Sequence, residues 1–156
     1  MIKMKATVLG LFVSQGGVPK LPVESLFIDD SGCFGDNQND LKHHGGEDKA
    51  VCLIQNCIIS DLQSQGHPIT PGSTGENILI EGSRVGDISP GTILKFKELE
   101  IEVTQDAPPC KTIQQSFING EFTLISHKKF PQVTRWYARV LRQGTVQSNE
   151  EYQIIN

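Results

Sequence analysis

The chain has 156 residues, 37% of them hydrophobic and 21% charged, with a formal net charge of −4. That length fits one domain over residues 1–156 that buries about two-thirds of its unfolded surface, and the composition excludes extensive disorder. No dense Lys/Arg stripe is present, which excludes nucleic acid as a main partner, and no apolar run approaches the length of a membrane span.

In chain order, Met1-Ile2-Lys3-Met4-Lys5 precedes an apolar run over 6–13. The run is at the short end for a secretory signal and Ser14-Gln15-Gly16-Gly17 is a poor cleavage site, so a first strand is expected. Residues 29–49 form a long polar loop rich in Gly, Asp, Asn and His. Further strand-like runs occupy 51–54, 77–80, 92–96, 99–104, 136–141 and 152–155. The 92–96 and 99–104 runs, separated by Lys97-Glu98, read as a hairpin. One helix is expected over 56–65, where Ile58, Ile59 and Leu62 share a face and Gly66 follows the end. A second, shorter helix is expected after Cys110. Many strands with few helical inserts predict a mainly β fold with short helices, closed into a barrel that removes exposed edges. The four cysteines at 33, 52, 57 and 110 contain no CxxC pair. Neither a disulfide framework nor a zinc knuckle is indicated, and a reducing cytoplasm is the expected location.

Cys110 is the leading candidate for chemistry. It follows Pro108-Pro109 at the end of a strand and precedes Lys111 and the short helix. A helix start and a neighbouring lysine both favour an ionised thiol, which is a nucleophile, a sulfur carrier and a soft metal ligand. The alternative is a buried small hydrophobe, the common fate of a free cysteine. Cys52, between Val51 and Leu53, reads as core. Cys33 lies in the polar loop and reads as an exposed secondary candidate, and Cys57 is undecided.

Three other segments carry polar candidates. In the long loop, Gly45 and Gly46 permit close approach of backbone amides to a ligand, and His43, His44 and Lys49 can contact an anion or move protons. A metal site using these histidines with Asp36 or Asp40 is the alternative. In Pro71-Gly72-Ser73-Thr74-Gly75-Glu76-Asn77, Glu76 and Asn77 can supply polar contacts, or the segment is simply a turn entering a strand. In the 134–141 run, alternation puts Trp136, Ala138 and Val140 on one face. Trp136 reads as a core anchor, and Arg135 at the strand entrance as a guanidinium able to clamp a phosphate.

These segments, in this order, resemble the MOSC domain family, named after the C-terminal domain of molybdenum cofactor sulfurases. The matching stretches are Gly35-Asp36, Asp40-Leu41-Lys42-His43-His44-Gly45-Gly46, Asp48-Lys49-Ala50-Val51, Pro71-Gly72 and Gly75-Glu76-Asn77. They continue with Val85-Gly86-Asp87, Val103-Thr104-Gln105, Pro109-Cys110 and Trp136-Tyr137-Ala138-Arg139-Val140, so the resemblance covers nearly the whole chain and looks most like the stand-alone bacterial members. Two departures stand out: Asn37 and Gln38 follow Asp36 where many members carry a histidine, and the C-terminal extension of the larger reductase-type relatives is not in this sequence.

The resemblance implies a strand-rich barrel with one family cysteine, here Cys110. In relatives that reduce N-hydroxylated compounds, that position ligates molybdenum held by a pterin. In the sulfurase setting the domain is thought to bind the cofactor or carry sulfur. The expected cofactor is therefore the molybdenum cofactor (molybdopterin), with Cys110 as metal ligand. His43, His44, Gly45, Gly46, Lys49, Glu76, Asn77, Lys111 and Arg135 are the expected cofactor contacts. Three outcomes follow: a molybdenum-dependent reductase, a persulfide or cofactor carrier, or an interaction module without the chemistry. The expected partners are a cysteine desulfurase-type sulfur donor or an electron-transfer protein. No pyridoxal phosphate is expected, because nothing marks a Schiff-base lysine.

Overall fold

The computed structural model describes residues 5–36 and 46–156. Within them the chain forms eleven strands and one α-helix, joined by turns and short 3₁₀ segments. The strands are β1 (Thr7–Val13), β2 (Leu21–Val23), β3 (Ser25–Asp29), β4 (Gly32–Cys33), β5 (Val51–Gln55) and β6 (Ile78–Glu81). They continue with β7 (Ile93–Lys95), β8 (Glu100–Ala107), β9 (Arg135–Arg142), β10 (Gly144–Gln147) and β11 (Gln153–Ile155), and the helix α1 is Asn56–Ser64. Eight strands make one sheet in the order β11-β7-β8-β9-β5-β6-β1-β2, and β10-β3-β4 make a second. All pairs are antiparallel except β5 with β6, which α1 connects as a crossover.

The mainly β expectation holds and the closed barrel does not. Among the described residues the large sheet is open, with β11 at one edge and β2 at the other. It curls far enough for the start of β1 to touch the segment that precedes β11. Val8 N donates to Glu150 O at 2.8 Å, Asn149 N to Val8 O at 2.8 Å and Tyr152 N to Ala6 O at 3.2 Å. That contact amounts to a single isolated bridge, Thr7 with Glu151, because the chain is turning there and the three residues of β11 pair with β7 instead.

Period-two alternation divides the large sheet into two buried faces. One face packs Leu11, Leu53, Ile78, Val103, Trp136 and Ala138 against Leu26, Ile28 and Val146 of the small sheet. Trp136 is fully buried, so its reading as a core anchor holds. The other face presents Phe12, Ile54 and Leu79 to Ile58, Ile59 and Leu62 of α1 and to Ile113, Phe117 and Ile125 of the 3₁₀ segments. Beside that second cluster Cys52, Ala107 and Tyr137 form a small third one. Burying an isoleucine in such a cluster is worth about 1.5–3 kcal/mol, so α1 is held by packing although no side chain caps its start. The helix ends on Gly66, whose φ of 95° suits glycine, and His67 N bonds back to Leu62 O at 3.1 Å.

Candidate functional site

Cys110 leaves the sheet at the end of β8. Pro108 and Pro109 cannot donate to the ladder, so pairing stops there and the chain turns outward. Cys110 has extended backbone (φ −139°, ψ 174°) and precedes a 3₁₀ stretch over Lys111–Ser116, the short helix expected there. Ile113 and Phe117 anchor that stretch in the second core cluster, while Cys110 and Lys111 are exposed. The Cys110 sulfur lies 2.8 Å from the Thr112 hydroxyl. The buried-hydrophobe alternative is therefore excluded for Cys110.

The other cysteines contrast with it. Cys33 is buried, contrary to the exposed position expected, because β4 pairs with β3 and places it opposite Ile28. Its thiol donates to Ala50 O at 3.7 Å, and burial pushes its pKa well up. Cys52 is core as expected, with burial again the main cause of a raised pKa. Cys57 is half-buried and raised for the same reason. Cys110 alone among the four is exposed.

Two contacts to a single loop bracket the Cys110 segment. Arg135 is buried, and its Nη1 donates to Thr74 O at 2.6 Å. Its Nη2 donates to Ala107 O at 3.2 Å and Pro108 O at 3.1 Å, and its Nε has no partner. The guanidinium thus binds the protein's own backbone and presents no open fork to solvent, whereas the sequence had suggested a phosphate clamp. On the other side of Cys110, the Ser116 hydroxyl donates to the Ser73 hydroxyl at 2.8 Å. The loop that receives both contacts is fixed by buried Glu76, whose carboxylate accepts from Gly72 N at 2.6 Å and from the Thr74 hydroxyl at 2.7 Å. Gly72 has a φ of 85° and a Cβ there would strike the Lys20 carbonyl, so glycine is required.

A second network anchors the start of the polar loop. The Asp36 carboxylate accepts from Lys20 Nζ at 2.8 Å, Ser14 N at 2.8 Å and Asn77 Nδ2 at 3.0 Å. Asn77 is buried and also donates to Phe12 O at 3.1 Å while accepting from Cys52 N at 3.1 Å. It therefore ties β1, β5 and β6 to Asp36. The loop returns at Gly46, exposed with a φ of 89°, and a 3₁₀ turn over Glu47–Lys49. Lys49 Nζ lies 5.5 Å from the centre of the Tyr137 ring, and Thr104 Oγ1 donates to Asp48 O at 2.5 Å. His43, His44 and Gly45 lie outside the described residues, as does Asp40.

The structure brings Arg135, Glu76, Lys111 and Cys110 to one region through the 72–76 loop and the end of β8. It makes Asn77 a buried cross-link rather than an open ligand contact. Sequence reasoning missed Lys20, Ser73, Thr112 and Ser116. Thr112, two residues from Cys110, was within reach of local inspection, but the other three act across the fold and carry no local signal. An open cleft of about 660 Å³ runs along Val13–Gly16, Pro19, Leu21 and Val23, and Cys110 does not line it. No group of three His, Cys, Asp or Glu able to hold a metal ion is found among the described residues. No helix among them is long and apolar enough to cross a membrane.

A comparison with known proteins matches residues 40–153 to the MOSC domain. The uncharacterized protein YflK of Bacillus subtilis is 26% identical over 144 residues, covering 91% of this chain and 64% of YflK. YiiM of Escherichia coli is 22% identical over 144 residues, covering 89% of this chain and 63% of YiiM. The chain thus spans just under two-thirds of each of these relatives. The crystal structure of the YuaD protein from Bacillus subtilis superposes with a TM-score of 0.71 over 97% of this chain and 96% of that one, at 16% identity, a likeness of fold. With nearly three-quarters of its sequence matched, the chain belongs to the MOSC domain family.

Proposed function

We propose that this protein binds the molybdenum cofactor, with the Cys110 sulfur as the protein's ligand to the metal. The observation that carries this reading is the placement of Cys110 in a MOSC domain, exposed at the end of β8 with its flanking segments braced. The donor set supports it. A single exposed soft sulfur donor suits a soft metal whose other ligands arrive on its own organic carrier. Lys111 beside Cys110 and Lys49 over Tyr137 offer positive charge to the anionic part of that carrier, and Gly46 leaves the backbone open to close approach. Arg135, Glu76 and Asn77 hold the loops that present these groups. When bound, the cofactor would supply a redox-active metal suited to reducing an N–O bond, as in an N-hydroxylated compound.

The exposure of Cys110 also favours a second reading, a sulfur carrier. Its thiolate would attack the terminal sulfur of a donor's persulfide, forming Cys110–S–S⁻ and releasing the donor's thiolate. Metal analysis with intact mass under non-reducing conditions separates the two. Protein from a molybdate-replete host should contain molybdenum if it binds the cofactor, or one added sulfur if it is a carrier. Finding neither would contradict both. Turnover of a small N-hydroxylated compound with an artificial electron donor then distinguishes an enzyme from a passive binder.

A further inference from the structure

Arg135 is a buried cation beside the Cys110 segment, and its three hydrogen bonds go to backbone carbonyls on two segments far apart in sequence. One segment is the 72–76 loop, reached at Thr74 O, and the other is the end of β8, reached at Ala107 O and Pro108 O. Pro108 lies two residues before Cys110. On the other side of the thiol, Ser116 bonds to Ser73 of the same loop. The loop cannot easily yield, because Glu76 ties Gly72 and Thr74 to each other, and Lys20 N donates to Gly72 O at 2.9 Å. Prolines stiffen the stretch that precedes Cys110, and Ile113 N closes the turn that follows onto Cys110 O at 3.1 Å.

We infer that Arg135 is a positioning residue for Cys110: with the 72–76 loop it clamps the chain on both sides of the thiol, so that the sulfur meets its cargo in a fixed direction. The inference rests on the reading of Cys110 as the working sulfur. A preorganised ligand binds without the cost of ordering its own segment, so loosening the clamp weakens retention of a bulky cofactor even though the thiol remains. Lysine keeps the charge but cannot reach three carbonyls in two segments with one point-like head.

The test compares wild type, Arg135→Lys, Arg135→Ala, Ser116→Ala and the remote core variant Val146→Ala, each at the same interval below its own Tm. In apoprotein, hydrogen exchange of the amides over 110–113 should quicken about fivefold or more in Arg135→Lys and less in Ser116→Ala, with Val146→Ala matching wild type. Millimolar methylguanidinium should return Arg135→Ala towards the wild-type rate, which repair of general stability would not achieve selectively. In cofactor-loaded protein, molybdenum remaining after gel filtration should fall about fivefold in Arg135→Lys and stay at the wild-type level in Val146→Ala. Wild-type exchange over 110–113 in Arg135→Lys, or equal acceleration in Val146→Ala, would overturn the inference. If wild type holds no molybdenum, the cofactor reading fails, and the exchange and rescue measurements alone decide the clamp. If Arg135→Lys does not fold, Ser116→Ala carries the exchange measurement.

Discussion

Lys20 and Arg135 are both cations withdrawn from water beside a loop, and they are neutralised by different means. Lys20 pairs with the Asp36 carboxylate at 2.8 Å, the two side chains being 10% and 3% exposed. Arg135 instead donates to three carbonyls of the main chain. The first arrangement pairs two charges that substitution can remove together, although Asp36 also accepts from Ser14 N and Asn77 Nδ2. In the second, one partner is the fold itself. The polar loop is therefore anchored by a bond that coordinated changes can exchange, while the Cys110 segment is anchored by one that no second-site change can restore.

The largest expected effect tests the first half of that contrast. Asp36→Ala leaves Lys20 buried without a counter-charge and should cost about 3–5 kcal/mol in urea unfolding. Lys20→Met combined with Asp36→Leu should recover part of that loss, since no charge is then left buried although Ser14 N and Asn77 Nδ2 still lack their acceptor. A double variant as unstable as Asp36→Ala would break the comparison. Next, Arg135→Met should cost about 2–3 kcal/mol, from carbonyls left buried without donors. Substitutions of the neighbouring side chains at 74, 107 and 108 should not restore it.

A smaller effect follows from the buried thiols. Burial raises Cys33 and Cys52 above the ordinary value of 9.0, so above that pH the unfolded chain loses these protons while the folded chain keeps them. Their contribution is complete below pH 9 and is lost as pH rises further, by up to about 1.4 kcal/mol per pH unit per thiol. Cys33→Ala should flatten the fall in stability above pH 9 in urea titrations, and an unchanged slope would count against burial as the cause. Smallest of all, Cys110→Ser should change stability by no more than about 0.5 kcal/mol, because the side chain is exposed.

The sequence made the long, periodic elements legible. The runs that became β1, β5 to β9 and β11, the helix at 56–64 and the 92–104 hairpin all follow from alternation, helical spacing and Gly66. The short strands β2, β3, β4 and β10 were not legible, because they are defined by distant pairing, such as Gly144 with Ile28. Cys33 was misread for the same reason: its polar neighbours suggested exposure, and only pairing with β3 turns it inward. Arg135 was visible as a strand-entrance arginine, but whether a guanidinium meets a ligand or the protein's own carbonyls depends on a loop some sixty residues earlier in the chain. Cys110 could be read locally because prolines and a charged neighbour rarely accompany a core thiol.

The most direct measurement is the molybdenum content of wild type, Cys110→Ser and Cys57→Ser purified side by side from a molybdate-replete host, with Tm recorded for each. The account predicts molybdenum in wild type and Cys57→Ser and its loss in Cys110→Ser at an unchanged Tm. Molybdenum retained by folded Cys110→Ser, or lost equally from both variants, would contradict it.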